Sequence, residues 1–282
     1  MNDRTLLPRA WRRDDIERQG LPRYAADDLD AIKTELRDGA GFVLASGIEP
    51  ADLERFGDAL GRPLAQNAAG ERLVQIADFS DIDAFDDRGY RSPGELNPHT
   101  DPPPLIVLLC QRAAKRGGTN MLVSAESIRD AIGRESADLL AVLAAGLPFF
   151  MPDEKTPGGG SAREPLPILL DGAGGLSCVY YRPFIERAAE VSGAVLPAEA
   201  VAALDLFDRC ATDPALRIEY ALRPGETLIL NNYRVLHARD AFEDWPEKAK
   251  RRCLLRLWLD ADWLPAPPPA HAGRRDPMAA LL

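Results

Sequence analysis

Apolar positions along this chain fall into blocks of two different periods. Leu29, Ile32 and Leu36 recur at helical spacing, Asp27 supplies a cap and Gly39 a stop, so a helix is predicted from Asp27 to Asp38. GFVLA at 41–45 reads as a buried strand, and Pro50 opens a second helix with Leu53, Phe56 and Leu60 on one face before Gly61. LIVLLC at 105–110 and NMLV at 120–123 are short apolar runs of strand length, followed by helices near 125–132 and 136–145, the latter ended by Gly146. Pro197 starts a helix through about Cys210. RIEYAL at 217–222 alternates with period two, Arg-Pro-Gly turns, and ETLILNN at 226–232 and RCLLRLWLD at 252–260 are two further strands. Residues up to about Asp30 are charged and weakly patterned, an N-terminal extension in this reading, and 261–282 is a proline-rich, extended tail. PDEKTPGGGSAREP at 152–165 reads as a loop, either a plain surface connection or a lid over a site. Many short strands with peripheral helices and no βαβ rhythm predict an α+β fold around an antiparallel sheet, sandwich or jelly roll.

Charge narrows the partners. Lysine and arginine total 34 against 44 acids, a formal net charge of −10. That balance argues against nucleic acid and anionic membrane surfaces, both of which recruit basic faces. The longest uncharged stretch, Leu139 to Pro152, is too short and too broken by Gly146 and Pro148 to span a bilayer, and the N-terminus shows no apolar leader core. Cys110, Cys178, Cys210 and Cys253 form no CxxC pair and read as reduced thiols, so the expected location is cytoplasmic.

Only three histidines exist: His99, His237 and His271. His271 lies in the proline-rich tail and is expected to be solvated. In His99-Thr100-Asp101 the first and third side chains share a face of an extended chain, so they can grip one metal ion; alone, the pair is equally a strand-end histidine beside a surface aspartate. His237 directly follows a predicted strand, and two histidines with one carboxylate make the facial triad suited to Fe(II) oxygenases. Its alternative is a hydrogen-bonded core histidine. On the strand from Arg252, Arg252, Leu254, Arg256 and Trp258 share one face. Two arginines on an otherwise apolar face require anions: structural acids, or the carboxylate of a ligand held by the planar guanidinium fork. Trp258 is expected in the core.

Five pieces, in order, carry a resemblance: GRPLAQN at 61–67, NPHTD at 97–101, LLCQRAAKRGGTNMLVSA at 108–125, RPGETLILNNYRVLHARDAFED at 223–244 and RRCLLRLWLD at 251–260. Together they resemble the TauD/TfdA family of Fe(II)- and 2-oxoglutarate-dependent dioxygenases over roughly residues 40–260. The resemblance implies one domain over 1–282 with a double-stranded β-helix, a jelly-roll core with flanking helices. It also implies that His99, Asp101 and His237 ligate Fe(II) and that Arg252 binds the distal carboxylate of 2-oxoglutarate. Relatives carry Thr or Ser after the Gly-Gly-x turn as a second contact to 2-oxoglutarate; this chain departs from that pattern with Asn120, whose amide can still donate. Arg256 stands where some relatives meet an acidic substrate group. Asn97 and Asn232 flank the triad, and Gln66 and Asn67 fall in a region that lines the substrate pocket in relatives; turn chemistry is the competing reading for the asparagines. A carboxylate at 101, rather than Ala or Gly, argues against a halogenase.

The expected function is therefore hydroxylation of an unactivated C–H of a small molecule, for example an amino acid or another carboxylate-bearing metabolite. Fe(II), 2-oxoglutarate and O₂ are the cofactor and co-substrates, and succinate and CO₂ are released. Desaturation or cyclisation is the variant outcome. Two rivals remain open at this level: a zinc-type hydrolase on the same three residues, and a non-catalytic jelly-roll binding protein. The sequence is silent on oligomeric state.

Overall fold

The computed structural model describes residues 5–79, 92–152 and 159–275. Two antiparallel sheets lie at its centre. The larger comprises β1 (Arg23–Ala25), β2 (Phe42–Ser46), β3 (Arg62–Leu64), β4 (Leu73–Ile76), β6 (Leu105–Arg112), β14 (Thr227–Asn231) and β17 (Cys253–Asp260), in the order β1-β2-β14-β6-β17-β3, with β4 also pairing β17. Only β1–β2 is parallel among these pairs. The smaller comprises β5 (Leu96–His99), β8 (Asn120–Ser124), β13 (Ile218–Tyr220) and β15 (Val235–Arg239), ordered β13-β8-β15-β5. Three two-stranded ribbons complete the strands: β7 (Arg116–Gly117) with β16 (Phe242–Glu243), β9 (Leu147–Pro152) with β10 (Gly160–Leu166), and β11 (Leu169–Gly172) with β12 (Gly175–Cys178).

Alternation decides the layers, because successive strand side chains point to opposite faces. Phe42, Leu44, Ile106, Leu108, Leu228, Leu230 and Leu254 of the large sheet meet Leu122, Ile218 and Val235 of the small one in a shared core. The intervening positions Val43, Val107, Leu109, Ile229, Leu255 and Leu257 face outward, onto Ile32 and Leu36 of α2 (Leu29–Asp38) and Leu53, Phe56 and Leu60 of α3 (Leu53–Leu60). On the far side of the small sheet, Val123 and Leu236 pack under α4 (Ala125–Glu135), α5 (Ala137–Ala145), α6 (Arg182–Ser192) and α7 (Ala198–Ala211). Helices therefore cover the outer face of each sheet, and the two inner faces look at each other.

Most patterned segments take the form read from sequence, with ends moved by a residue or two. Four readings change. The first thirty residues contain α1 (Arg13–Gln19) and β1, and Trp11 is fully buried with its indole N–H donating to the Ala40 carbonyl at 2.8 Å. Strands β3 to β5, β7, β9 to β12, β15 and β16 and helix α6 were not predicted, and His237, expected just after a strand, lies within β15. The loop expected at 152–165 is shorter: β10 runs antiparallel to β9 from Gly160, while 153–158 lie outside the described residues. Its exposed, glycine- and charge-rich side chains hid the strand, and Gly160 is needed there because a Cβ would come within 2.4 Å of the Met151 carbonyl. The described part of the tail, 261–275, is partly packed against the body. It forms a 3-10 segment, Pro269–Arg275, and His271 is 1% exposed, bonded to the Ser177 hydroxyl at 2.7 Å and the Pro167 carbonyl at 2.8 Å. A lone histidine among prolines has no period to reveal which side it faces.

A buried ion pair closes the turn between β14 and β15. Arg234 donates to Glu126 at 2.7 Å and to the carbonyls of Arg37 and Gly39, with both charged side chains nearly inaccessible. Arg234→Met leaves Glu126 as an uncompensated buried charge and is expected to cost about 3–5 kcal/mol in urea unfolding, whereas Arg234→Met with Glu126→Met costs much less. Burial pushes the His271 imidazole down to about 4, against the backbone bond to Pro167, which favours the charged form. The unfolded chain therefore takes up a proton near the ordinary value of 6.5 that the folded chain refuses until about 4, so stability falls as pH drops through that window. Urea midpoints at pH 7 and pH 4.5 should differ more for the wild type than for His271→Gln, by on the order of 1–2 kcal/mol.

Candidate metal and co-substrate site

Pairing of β15 with β5 puts His237 directly opposite His99, with ring centroids 4.3 Å apart. Asp101 lies two residues past His99, where the chain leaves β5. One ligand atom from each of His99, Asp101 and His237 lies within 4.8 Å of the other two, the only such cluster of three among the described residues. His99 Nε2 is 3.7 Å from Asp101 Oδ1.

His99 and Asp101 are each held in an orientation. His99 Nδ1 is 2.8 Å from the Asn97 carbonyl, so that nitrogen carries the proton and Nε2 is left for a metal. Asp101 Oδ2 accepts from Arg256 Nη1 at 3.2 Å and from Trp258 Nε1 at 3.3 Å, which leaves Oδ1 toward the imidazoles. Burial pushes the Asp101 carboxyl up, but Arg256, the two imidazoles and the Trp258 N–H outweigh it, and the group sits below the usual carboxylate range. Burial, with neighbouring His99 and Arg256, pushes His237 down to about 3 against the pull of Asp101, so its imidazole is neutral at pH 7. His237 Nδ1 is buried without a protein partner. The neutral His237 imidazole, His99 Nε2 and an ionised carboxylate, with ligand atoms this close, fit a divalent cation of the iron or zinc type; a packed core histidine would have its ring nitrogens satisfied. Between the ligands, Thr100 is locked to Tyr180 by two bonds, N–H to the Tyr180 carbonyl at 2.9 Å and Oγ1 from the Tyr180 N–H at 3.1 Å.

The remaining sequence candidates are distributed unevenly. Arg252 immediately precedes β17, 4% exposed, its guanidinium over the Phe242 ring at 5.1 Å and Nη1 buried with no partner. Gly118 adopts φ +73° beside it, and a Cβ there would press on Arg252 Nε at 3.3 Å, so the Gly-Gly turn makes room for this side chain. Asn120, on the inner face of β8, donates to the Tyr220 carbonyl at 3.2 Å. Arg256 is engaged with Asp101 and, through Nε, with Gln66 Oε1 at 2.7 Å. Gln66 also donates to the carbonyls of Arg72 and Arg256, so its amide is fully used. Asn67 caps its own turn, accepting from Ala69 and Glu71 N–H groups. Asn232 is fully buried, with neither carboxamide atom partnered. Asn97 is exposed, on the same strand face as His99.

Sequence reasoning missed the second role of Trp258, which packs in the inter-sheet core yet donates to Asp101. Its place on the Arg252–Arg256 face was the available signal. Tyr180 and Arg274 carried none: the first acts through its backbone and the second sits in an unpatterned tail.

Residues 7–258 match the model of the taurine catabolism dioxygenase TauD, TfdA family. The chain belongs to that family. It is accordingly a non-haem iron, 2-oxoglutarate-dependent dioxygenase. The chain is 30% identical over 263 residues to FR-33289 synthase of Streptomyces rubellomurinus, covering 88% of this chain and 77% of that one. It is 28% identical over 156 residues to a uridine-5'-phosphate dioxygenase of an Amycolatopsis species, covering 55% of each. Among solved structures, an asparagine oxygenase in complex with Fe(II), 2S,3S-3-hydroxyasparagine and succinate superposes with a TM-score of 0.63 at 17% identity, over 83% of this chain and 78% of that one. PvcB, an Fe, alpha-ketoglutarate dependent oxygenase from an isonitrile synthetic pathway, gives 0.60 at 16% identity over 87% and 89%. No helix among the described residues is long and apolar enough to cross a membrane.

If the two donors on Oδ2 hold Asp101 for a metal, Trp258→Phe should keep the fold and weaken Mn(II) binding roughly tenfold, read by electron paramagnetic resonance titration of the apoprotein.

Proposed function

We propose that His99, Asp101 and His237 hold Fe(II), that Arg252 receives the distal carboxylate of 2-oxoglutarate, and that the enzyme hydroxylates an unactivated C–H of a small carboxylate-bearing metabolite such as an amino acid. The observation that carries this reading is the close cluster of three ligand atoms on a sandwich whose inner face also holds a buried guanidinium with an unpartnered Nη1. Arg252 stands just before β17 and Arg256 on it, about 13 Å apart along an extended chain at ~3.3 Å per residue, and Arg256 touches Asp101. A dicarboxylate anchored near the triad at one end therefore has a cation within reach at the other. A hydrolytic zinc site would have no use for that cation.

Once bound with 2-oxoglutarate, the iron supplies O₂ activation, coupling oxidative decarboxylation to succinate and CO₂ with transfer of one oxygen atom to the substrate C–H. The protein's own part is geometric and electrostatic. Arg256 and Trp258 keep Asp101 ionised and present one oxygen; the Asn97 carbonyl sets the His99 tautomer; Arg252 orients the co-substrate. Asn120 keeps a second amide hydrogen beyond its bond to Tyr220 and is our candidate for the second carboxylate contact. Among the amides, Asn97 is the best-placed substrate contact, exposed beside His99, while Asn232, Gln66 and Asn67 support the walls. Arg256 meets an acidic substrate group only by sharing its fork with Asp101. The amino-acid substrate class is supported by the asparagine oxygenase and by OrfP, solved with (3S)-hydroxy-L-Arg, both matching in fold.

We also read the two facing sheets as the jelly-roll, double-stranded β-helix core of one domain over 1–282, and the setting as cytoplasmic, in keeping with four unpaired buried thiols.

The test is succinate release in the presence of Fe(II), ascorbate and O₂, screened over amino acids and other small carboxylates. Arg252→Ala should raise the KM for 2-oxoglutarate about ten- to a hundredfold, the loss of one charged hydrogen-bond set worth roughly 1.5–3 kcal/mol. An unchanged KM would remove Arg252 from the site.

A further inference from the structure

The tail carries a guanidinium buried in an unusual setting. Arg274, 8% exposed, donates from Nε to the Pro102 carbonyl at 3.0 Å, from Nη1 to the Cys178 carbonyl, and from Nη2 to the carbonyls of Asp101 at 2.9 Å and Asn232 at 2.8 Å. Its fork also lies over the Tyr233 ring at 4.8 Å. All four acceptors are main-chain oxygens, and no ion pair to a carboxylate is formed among the described residues.

The places of those carbonyls matter more than their number. One belongs to Asp101 itself and the next to the residue after it. Asn232 is in the turn that leads into β15 and His237. Cys178 ends β12, two residues before Tyr180, whose backbone brackets Thr100 between His99 and Asp101. Three chain segments that carry or brace the triad thus converge on one planar side chain. Asp101 is gripped at both ends, its carboxylate by Arg256 and Trp258 and its main chain by Arg274. A cation that serves only to close the tail has no reason to select these carbonyls, and the tail has other anchors: His271 bonds Ser177 and Pro167, and Arg275 pairs with Asp260 at 2.9 Å.

We propose that Arg274 is a positioning residue of the metal centre, fixing the main chain of Asp101 relative to the β15 turn so that its carboxylate meets His99 and His237. This rests on reading the triad as the metal site. The guanidinium works through geometry: five N–H donors in a rigid plane can satisfy several carbonyls at once, which a lysine cannot reproduce.

Metal binding without turnover tests it. Mn(II) affinity of the full-length apoprotein is measured by electron paramagnetic resonance for the wild type, Arg274→Ala, Arg274→Lys and Arg275→Ala, alongside circular dichroism and thermal melting. Arg274→Ala is expected to bind Mn(II) ten- to a hundredfold more weakly, Arg274→Lys to fall between it and the wild type, and Arg275→Ala to stay within twofold even if its melting point drops. Millimolar methylguanidinium, which fits the vacated cavity, should restore affinity to Arg274→Ala and leave the wild type unchanged. Should Arg274→Ala fail to fold, Arg274→Lys decides. Folded Arg274 variants within twofold of the wild type overturn the proposal and leave the triad reading intact, as does an equal loss in Arg275→Ala. A wild type that binds no Mn(II) overturns the triad reading itself.

Discussion

The site depends on one buried anion. Asp101 has left water, and burial by itself would hand its carboxylate a proton and remove it as a ligand. Arg256 reverses that outcome, helped by the Trp258 N–H and the two imidazoles, and the net effect is an acid held below its usual range. The same contact is architectural. Arg256 and Trp258 belong to β17 of the large sheet, whereas Asp101 follows β5 of the small one, so the pair that keeps the carboxylate charged also joins the two sheets beside the triad. Gln66 completes the arrangement by accepting from Arg256 Nε while donating to main-chain carbonyls, which fixes the guanidinium in turn.

Strand alternation places this chemistry where it is. The inner face of β17 is Leu254, Arg256 and Trp258, with Arg252 just before it, and its outer face is Leu255, Leu257 and Leu259 packed under α3. A one-residue slip in register would turn both guanidiniums into the helical layer and the leucines into the cleft. The pairing of β17 with β6 in unbroken register from Leu254 to Leu259 makes such a slip costly. Polar groups inside the sandwich are tolerated because each has an anion, a carbonyl or an aromatic face against it. Exceptions among the described residues are Arg217 Nε, Thr227 Oγ1, Tyr233 Oη and Asp244 Oδ2 and, nearest the triad and the arginines, Arg239 Nη1, Arg252 Nη1, His237 Nδ1 and the Asn232 carboxamide. The last four lie on or beside the triad strands and the arginine strand, where ligands rather than protein groups are expected to complete the hydrogen bonding.

Legibility followed periodicity. Helices α2, α3, α4, α5 and α7 and strands β2, β6, β8, β13, β14 and β17 were readable from the spacing or the run of their apolar positions. Strands β9 to β12 were not, since exposed ribbons rich in glycine and charge carry no such signal. His99, Asp101 and His237 were picked out by residue type and by family motifs, and they converge. The polar side chains around them were harder. Gln66 and Asn67 were read as pocket lining, and what the sequence could not give is that the first is engaged by Arg256 and two carbonyls and the second by its own turn. His271 was expected in solvent and is buried, because what draws it inward is a hydroxyl on β12 and a carbonyl just before β11, residues far away in sequence.

The order of elements, the rarity of histidine, the acidic balance and the alternating faces of β17 are properties of the amino-acid order alone, because local spacing dictates which side chains share a face. Which guanidinium meets the Asp101 carboxylate, which one keeps an unpartnered nitrogen, and how a tail arginine comes to hold the carbonyls around the triad were decided only in three dimensions. Those contacts join segments more than forty residues apart in every case, and long-range partners are chosen by packing, about which local pattern is silent.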